Sequence, residues 1–456
     1  MVTESACETD ASRVGKIAAL NVALWVGVWG CDARPERHAD ARSVVAPRPE
    51  PSLAAAEKPA PEKGPLNVVV ILIDGLRYDM PWLGYERPIA PWLTAFEPRT
   101  VSYTRAYALS NMTARSVGAL LAGRYPSELH RDGNFFTTYY PENVFVSERA
   151  RDAGHATLCA HAHAYFVAET GITQGFETCP LLGGTRLNNM SKDNITSARM
   201  TELAKELLSG AASKLGPERR LFAYFHYMDP HAPYLPHAGR PSFGKRPRDL
   251  YDQEIHFTDE WVGNLIEWVL AQTWGGQTAI VVSSDHGEGF AEHGFYKHGY
   301  EVFDEMVRVP MLIYAPGIRS RRIETPRSHI DLAPTIMEWL GLPRDPGLPG
   351  RSLLPELEGG AAEERPVIVD LPRDRLQDRR RALIEGHLKL IALNDDTRFL
   401  LFDLKEDPGE KNDLVATRKD LRERALGRYR DLSRKIPLEP VRGFAELKGA
   451  PPGRRW

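Results

Sequence analysis

What the chain lacks narrows its class before any motif is read. It has no apolar stretch of the roughly 20 residues that a membrane-spanning helix needs; the nearest to one, Ile17 to Trp29, is too short. It has no internal repeat, which sets aside solenoids and propellers. It has no basic stripe interleaved with aromatics, and its net charge is -3, so nucleic acid is not an expected partner. Cysteine is scarce, with four in 456 residues. Cys7 and Cys31 fall in the first 31 positions. Cys159 and Cys179 would pair in an oxidising compartment or stay as buried thiols, and both outcomes remain open. Apolar content is not lacking: at 42% hydrophobic the chain can bury one large α/β domain and a smaller one.

Residues 1–31 read as an export signal. Arg13 and Lys16 precede the apolar run, which ends in Val28-Trp29-Gly30-Cys31. A small residue before Cys resembles a bacterial lipobox, with Trp29 an unusual occupant. Residues 32–65 are rich in Pro, Ala, Arg and Glu without periodicity. They predict a disordered tether reaching roughly 100 Å if extended. The expectation is a protein of the cell envelope or periplasm, lipid-anchored at Cys31 and touching the membrane only through that anchor.

Beyond the tether, β-branched or apolar runs at 67–73, 156–160, 221–226, 279–284 and 310–314 alternate with amphipathic stretches at 113–122, 144–153, 196–208 and 251–272. This βαβ alternation predicts an α/β fold, a mainly parallel sheet with helices on both faces, over residues 66–365. Residues 366–435 read as a small α+β subdomain and 436–456 as a basic, solvated tail. A helix starting near Ser328 to Thr335 should stop at Gly341.

Two of the apolar runs end in potential metal ligands. Asn67 to Ile73 runs into Asp74, and Thr278 to Ser284 runs into Asp285-His286. Open α/β sheets bind ligands at the carboxyl ends of their strands. Thr113 has the position of a helix N-cap, with Gly123 as the stop. A threonine there also sits beside the free N–H groups and dipole of a helix start, which suit an anionic substrate.

These segments resemble one family in its own order. Asn111-Met-Thr-Ala-Arg-Ser-Val-Gly-Ala-Leu-Leu-Ala-Gly-Arg-Tyr-Pro126 is similar to the nucleophile helix of the sulfatases, C-x-P-S-R-x-x-x-x-T-G followed by Arg-Tyr-Pro. Asp74-Gly-Leu-Arg-Tyr-Asp79 and Ser284-Asp-His-Gly-Glu288 resemble its two metal-binding segments. Counting back from Gly123 puts Thr113 at the position of the Cys that sulfatases oxidise to formylglycine, so no aldehyde hydrate can form. Ser116 matches the motif Ser, while Val117 replaces the Arg that touches the hydrate. A second register would align Arg115 with that Arg, but it needs an insertion and leaves Asn111, an amide, as nucleophile.

The resemblance implies an alkaline-phosphatase-like fold and one divalent metal ion held by Asp74, Thr113, Asp285 and His286. Zinc or manganese is favoured over calcium, because imidazole is a poor calcium ligand. Gly75 stands where many sulfatases have a further metal-binding Asp. Thr113 would be the nucleophile. His231, in Asp229-Pro-His-Ala-Pro-Tyr234, would contact the substrate oxyanion. His298 would protonate the leaving group, with Lys297 as its alternate. His161 and His163, with Lys297, would bind substrate; Asp304 and Arg308 would be scaffold. The implied function is a metal-dependent hydrolase of phosphate or sulfate esters. A phosphoester is favoured because threonine at this position resembles the phosphodiesterases, nucleotide pyrophosphatases and phosphoethanolamine transferases of the superfamily. The partner is then a small-molecule or glycan ester; oligomeric state is not readable from the sequence. Two other classes stand beside this one: a phosphoryl-group transferase acting on envelope glycan or lipid, and a noncatalytic binder of anionic glycans.

Overall fold

The computed structural model describes residues 64–183, 194–216 and 218–442. The expected signal and Cys31, nearly all of the tether and the last part of the basic tail lie outside the described residues. In chain order the elements are β1 (Asn67–Ile73), α1 (Pro91–Phe96), β2 (Val101–Tyr107), α2 (Thr113–Ala122), α3 (Val146–Asp152), β3 (Ala156–His161), α4 (Ser197–Ala212), β4 (Leu221–Tyr227), α5 (Pro247–Ala271) and β5 (Thr278–Ser283). They continue with a short hairpin, β6 (Gly289–Phe290) and β7 (Tyr296–Lys297), then α6 (Asp304–Val307), β8 (Arg308–Tyr314), β9 (Arg321–Ile323), β10 (Arg327–Ser328), α7 (Leu332–Trp339) and α8 (Leu354–Leu357). The C-terminal part holds β11 (Val367–Leu371), β12 (Arg380–Glu385), β13 (Leu388–Leu393), β14 (Arg398–Asp403) and α9 (Lys419–Ser433).

The large sheet runs β10-β2-β8-β5-β1-β4-β3, with β9 paired to β2. β1 pairs in parallel with both β4 and β5, which makes it the centre of the sheet. Its seven residues are all buried, as a strand covered on both faces requires. The pleat divides them between two cores. Val68, Val70 and Leu72 pack with α2, α3 and α7, while Val69, Ile71 and Ile73 pack with α1, α4 and α5. The sheet is mixed: β8 is antiparallel to both β2 and β5. Of its strands, β2, β9 and β10 were not foreseen from sequence, since each is short or interrupted by polar residues such as Thr104 and Arg105.

The second, antiparallel sheet is ordered β11-β12-β13-β14. One face packs on Tyr107, Met112, Val302, Phe303 and Met306, and the other on α9. Lys389 of β13 is wholly buried and bonds Asp304 at 2.7 Å and Glu410 at 2.9 Å, so the small sheet is ionically fastened to the start of α6. The expected scaffold role of Asp304 is seen in that contact. The basic tail begins differently from a solvated segment. Ile436 is buried, and Glu439 and Arg442 donate backbone N–H bonds to Ser127 and Arg131.

Cys159 and Cys179 are disulfide-bonded, which resolves the alternative left open by the sequence. The bond fastens β3 to the stretch that bridges Leu158 to Thr178 and His161 to Leu181.

Candidate active site

Three elements converge at the carboxyl edge of the sheet. β1 ends in Asp74, β5 in Ser284-Asp285-His286, and α2 begins at Thr113. All four functional groups are buried: Asp74, Asp285 and His286 completely, Thr113 to 95%. The N-cap of α2 is Met112, with extended φ and ψ, and Thr113 is the first helical residue. Its side chain caps nothing, which corrects the N-cap expectation. Instead its Oγ1 lies 3.3 Å from Asp74 Oδ2 and 3.1 Å from His286 Nε2. The other end of α2 is as expected: Gly123 has φ 64°, and a Cβ there would meet Ala333 at 2.7 Å.

Hydrogen bonds fix what each atom can do. The His286 Nδ1–H donates to the Gly287 carbonyl at 2.8 Å, leaving the Nε2 lone pair facing Thr113 and the carboxylates. Ligand atoms of Asp74, Asp285 and His286 lie within 4.8 Å of one another. Asp285 Oδ1 accepts from Gly75 N and His286 N, but Asp285 Oδ2 and Asp74 Oδ1 are buried with no hydrogen-bond partner. A buried carboxylate oxygen without a donor is costly. Two of them facing an imidazole lone pair and a hydroxyl fit a divalent cation as the missing partner.

His226 was not foreseen. It lies near the end of β4, next to β1, and its Nε2–H donates to Asp74 Oδ2 at 3.0 Å while Nδ1 accepts from Tyr224 OH at 2.7 Å. It orients a ligand carboxylate from behind, a supporting role common at metal sites. The only sequence signal was a histidine at the end of an apolar run, at positions 221–227. The imidazoles of His231, His226 and His286 hold the Asp74 carboxyl well below its usual range even though burial opposes this. The two Asp carboxylates lift the His286 imidazole above its usual value, also against burial.

Three of the five remaining predicted residues join His286 in a histidine wall. Ring centroids run from His286 to His298 at 4.1 Å, from His298 to His231 at 5.1 Å and from His231 to His163 at 6.0 Å. The His231 Nδ1–H donates to the Ala232 carbonyl, exposing Nε2. The loop carrying His231 is pinned by Asp229, which accepts the N–H groups of Thr196 and Ser197 at the start of α4. His163 Nδ1 accepts from Tyr165 N at 3.0 Å, so its proton sits on Nε2. Burial pushes His163 and His161 down to about 3, so both are neutral at ordinary pH. His161 is set behind the wall: it is paired in register with His226, its ring packs 5.0 Å from Phe166, and its Nδ1–H donates to the His163 carbonyl. His298 Nδ1 lies 3.1 Å from Glu288 Oε1, and Tyr234 OH donates to Glu288 Oε2 at 2.8 Å. Glu288 was visible as part of a motif but not as the group that orients His298. Gly287 must be glycine, because a Cβ there would meet the Glu305 carbonyl at 2.1 Å.

Lys297 is not brought to this cluster. It is exposed on β7 with φ 65°, and its side chain makes no hydrogen bond or ion pair among the described residues. Asn111, the other candidate start of the motif, is committed elsewhere: its Nδ2 donates to the Glu301 carbonyl at 2.6 Å. Arg115 points away as well, wholly buried and 2.5 Å from Asp374. A separate cavity of about 600 Å³, lined by residues including Arg327, Met337, Arg351 and Glu356, contains none of the cluster residues.

Comparison with known proteins agrees with this architecture. The phosphonate monoester hydrolase of Agrobacterium radiobacter superposes with a TM-score of 0.69 at 18% identity, covering 82% of this chain and 96% of that one. A 2-O GAG sulfatase gives 0.65 at 18%, covering 82% and 95%. At such identity the likeness shows the fold: a mostly parallel sheet of the alkaline-phosphatase-like kind with an added antiparallel sheet. In sequence, the choline-sulfatase of Rhizobium meliloti is 31% identical over 195 residues, 41% of this chain and 37% of that protein. The uncharacterized sulfatase YidJ of Escherichia coli is 30% identical over 173 residues, 36% and 33%. These matches span little more than a third of those relatives. The N-sulphoglucosamine sulphohydrolase C-terminal family model matches residues 291–426. The sulfatase family model matches residues 66–342, well over half of the chain and the whole of the site above, and the chain belongs to the sulfatase family.

Proposed function

We propose that this protein is a metal-dependent ester hydrolase that uses the unmodified hydroxyl of Thr113 as nucleophile and prefers phosphoesters to sulfate esters. The observation that carries the reading is the placement of Thr113 Oγ1, within 3.3 Å of Asp74 and 3.1 Å of His286, where two buried carboxylate oxygens lack partners. Asp74, Asp285, His286 and Thr113 would hold one divalent ion, zinc or manganese rather than calcium. When bound, such an ion supplies positive charge for the anionic substrate and acidifies a nearby hydroxyl.

The chain's own groups account for the rest of the reaction. Thr113 gives its proton to water, and its oxygen bonds to phosphorus. The bond from phosphorus to the leaving alcohol breaks, and His298, oriented by Glu288, returns a proton to that alcohol. His163, with its proton on Nε2, donates to a nonbridging oxygen, and His231, as an imidazolium carrying a proton on both nitrogens, donates to another. Water then attacks the phosphothreonine, giving one proton to His298, and Thr113 recovers its own. A sulfatase hydrate expels sulfate by collapse, a route threonine lacks. Among the proteins this chain is similar to are phosphonate monoester hydrolases of Agrobacterium radiobacter and Silicibacter pomeroyi and a multifunctional alkaline phosphatase superfamily protein of Trinickia caryophylli, which supports breadth beyond sulfate. The same reading places the enzyme in a bacterial envelope, tethered at Cys31.

The test is a panel of p-nitrophenyl phosphate mono- and diesters and p-nitrophenyl sulfate, assayed with Zn²⁺, Mn²⁺ or Ca²⁺. Turnover of a phosphoester with Zn²⁺ or Mn²⁺ is expected. Rapid sulfate release by the unmodified chain would overturn the phosphoester preference.

A further inference from the structure

Large exposed hydrophobic side chains are not scattered over this molecule. Of the eight among the described residues, five lie on three loops: Phe136, Phe295, Tyr296, Tyr300 and Leu376. Tyr296 is 63% and Leu376 76% exposed. The loops are joined to one another. Gln377 Nε2 donates to the Gly299 carbonyl at 2.9 Å, Arg375 N donates to the Gly133 carbonyl, and Phe135 lies against Gly299. One of them also reaches the active site. Phe136 sits 6.0 Å from His163, its other neighbour Phe135 5.2 Å away, and Phe295 and Tyr300, which flank His298 in sequence, stack with each other. Solvent-facing aromatic and aliphatic groups thus cluster on joined loops beside the histidine wall.

We propose that this cluster docks on an anionic lipid bilayer, so that the esters reaching Thr113 are headgroup phosphoesters presented at a membrane surface. The substrate clause rests on the phosphoester reading above; the docking does not. Three observations favour a bilayer over a soluble ligand. The apolar groups project from loops and a hairpin tip rather than lining a cleft, which suits a soft, extended surface. Aromatic rings with an apolar body and, for tyrosine, a polar tip are suited to the interface between headgroups and acyl chains. On the same loops the basic groups Lys297, Arg373 and Arg375 outnumber the acidic Glu292, held by Arg77, and Asp378, paired with Arg373 at 2.8 Å; basic groups are drawn to anionic lipid. The sequence preceding the described residues also carries the apolar run Ile17–Trp29, which reads as an export signal or anchor.

The experiment uses the full chain with Cys7 and Cys31 changed to Ser, the remaining cysteines being bonded to each other. A polarity-sensitive dye is placed at Tyr296→Cys or, as a control, at Lys214→Cys, beyond α4 at the amino edge of the sheet. Vesicles of phosphatidylethanolamine with phosphatidylglycerol are added, with and without brominated acyl chains. A blue shift and bromine quenching at position 296, absent at 214, are expected. The triple variant Phe295→Ser, Tyr300→Ser, Leu376→Ser should need about tenfold more lipid or beyond, as expected for losing several buried apolar groups, and should turn over a soluble p-nitrophenyl diester normally. Equal responses at the two positions would overturn the docking. So would a triple variant that binds vesicles normally but loses affinity for soluble oligosaccharide esters, which would make the cluster a glycan subsite. Docking without turnover of any ester would defeat the substrate clause together with the hydrolase reading.

Discussion

Thr113 combines two properties that sequence alone could not separate. It opens a helix, yet its side chain satisfies none of the helix's free N–H groups. Losing the hydroxyl should therefore leave stability almost unchanged, rather than costing the roughly 1 kcal/mol of a lost cap. Turnover should fall by several orders of magnitude in Thr113→Ala, because the bond-forming atom is gone. Thr113→Ser should keep part of the rate, since only the methyl that restricts the rotamer is lost. Kinetics normalised to folded, metal-loaded enzyme decide this: near-normal turnover in Thr113→Ala would end the nucleophile reading. His226 makes a complementary prediction. It touches Asp74 and not Thr113, so His226→Phe should weaken metal binding about 10- to 100-fold, read by competition with a chelating dye. Unchanged affinity would mean that Asp74 needs no support from behind.

At the scale of elements, what could be read from the chain was what local pattern encodes. β1 and α2 have the expected bounds, because an unbroken β-branched run and a helix stopped by glycine are each signalled within a few residues. The ligands at the ends of β1 and β5 were legible for the same reason. β2 and β10 were not, since a strand containing Thr104-Arg105 or only two residues long depends on its neighbours for its existence. Nor were pairings across long separations legible, such as Arg115 with Asp374. This pair ties α2, and with it Thr113, to the segment after β11: Arg115 Nη2 meets Asp374 Oδ2 at 2.5 Å and Nη1 donates to the Pro372 carbonyl at 3.0 Å. Asp374 also accepts the N–H groups of Leu376 and Gln377. Asp374→Ala strands a buried guanidinium and should cost about 3–5 kcal/mol, measured by urea unfolding. Arg115→Met together with Asp374→Leu should recover part of that loss, since no buried charge is left unpaired. A single variant that melts like the parent would show that the pair contributes little.

Across the whole molecule, the fold keeps several histidines neutral away from water, and that gives it a characteristic response to acid. His329 illustrates it apart from the metal cluster. It is wholly buried, its Nε2–H donates to Ser283 Oγ at 2.8 Å, and burial pushes it down to about 3. His161 and His163 are held equally low. In the unfolded chain each would titrate near 6.5. A folded value below the unfolded one means that, as pH falls, the unfolded chain takes up the proton first. The stability tied to each group is complete above about 6.5 and is lost as pH drops toward 3, by up to about 1.4 kcal/mol per pH unit per histidine. The upper part of that window lies above the ordinary carboxylate range, so stability should already decline steeply between pH 6.5 and 5. His329→Gln keeps an N–H for Ser283 and removes one titrating group. The urea midpoint of this variant should therefore fall less steeply across that interval, by about one histidine's share of the slope, even if the variant is slightly less stable at pH 7.5. Parallel pH profiles for the two proteins would show that His329 is protonated as readily in the folded chain as in the unfolded one, and that its burial does not govern acid stability.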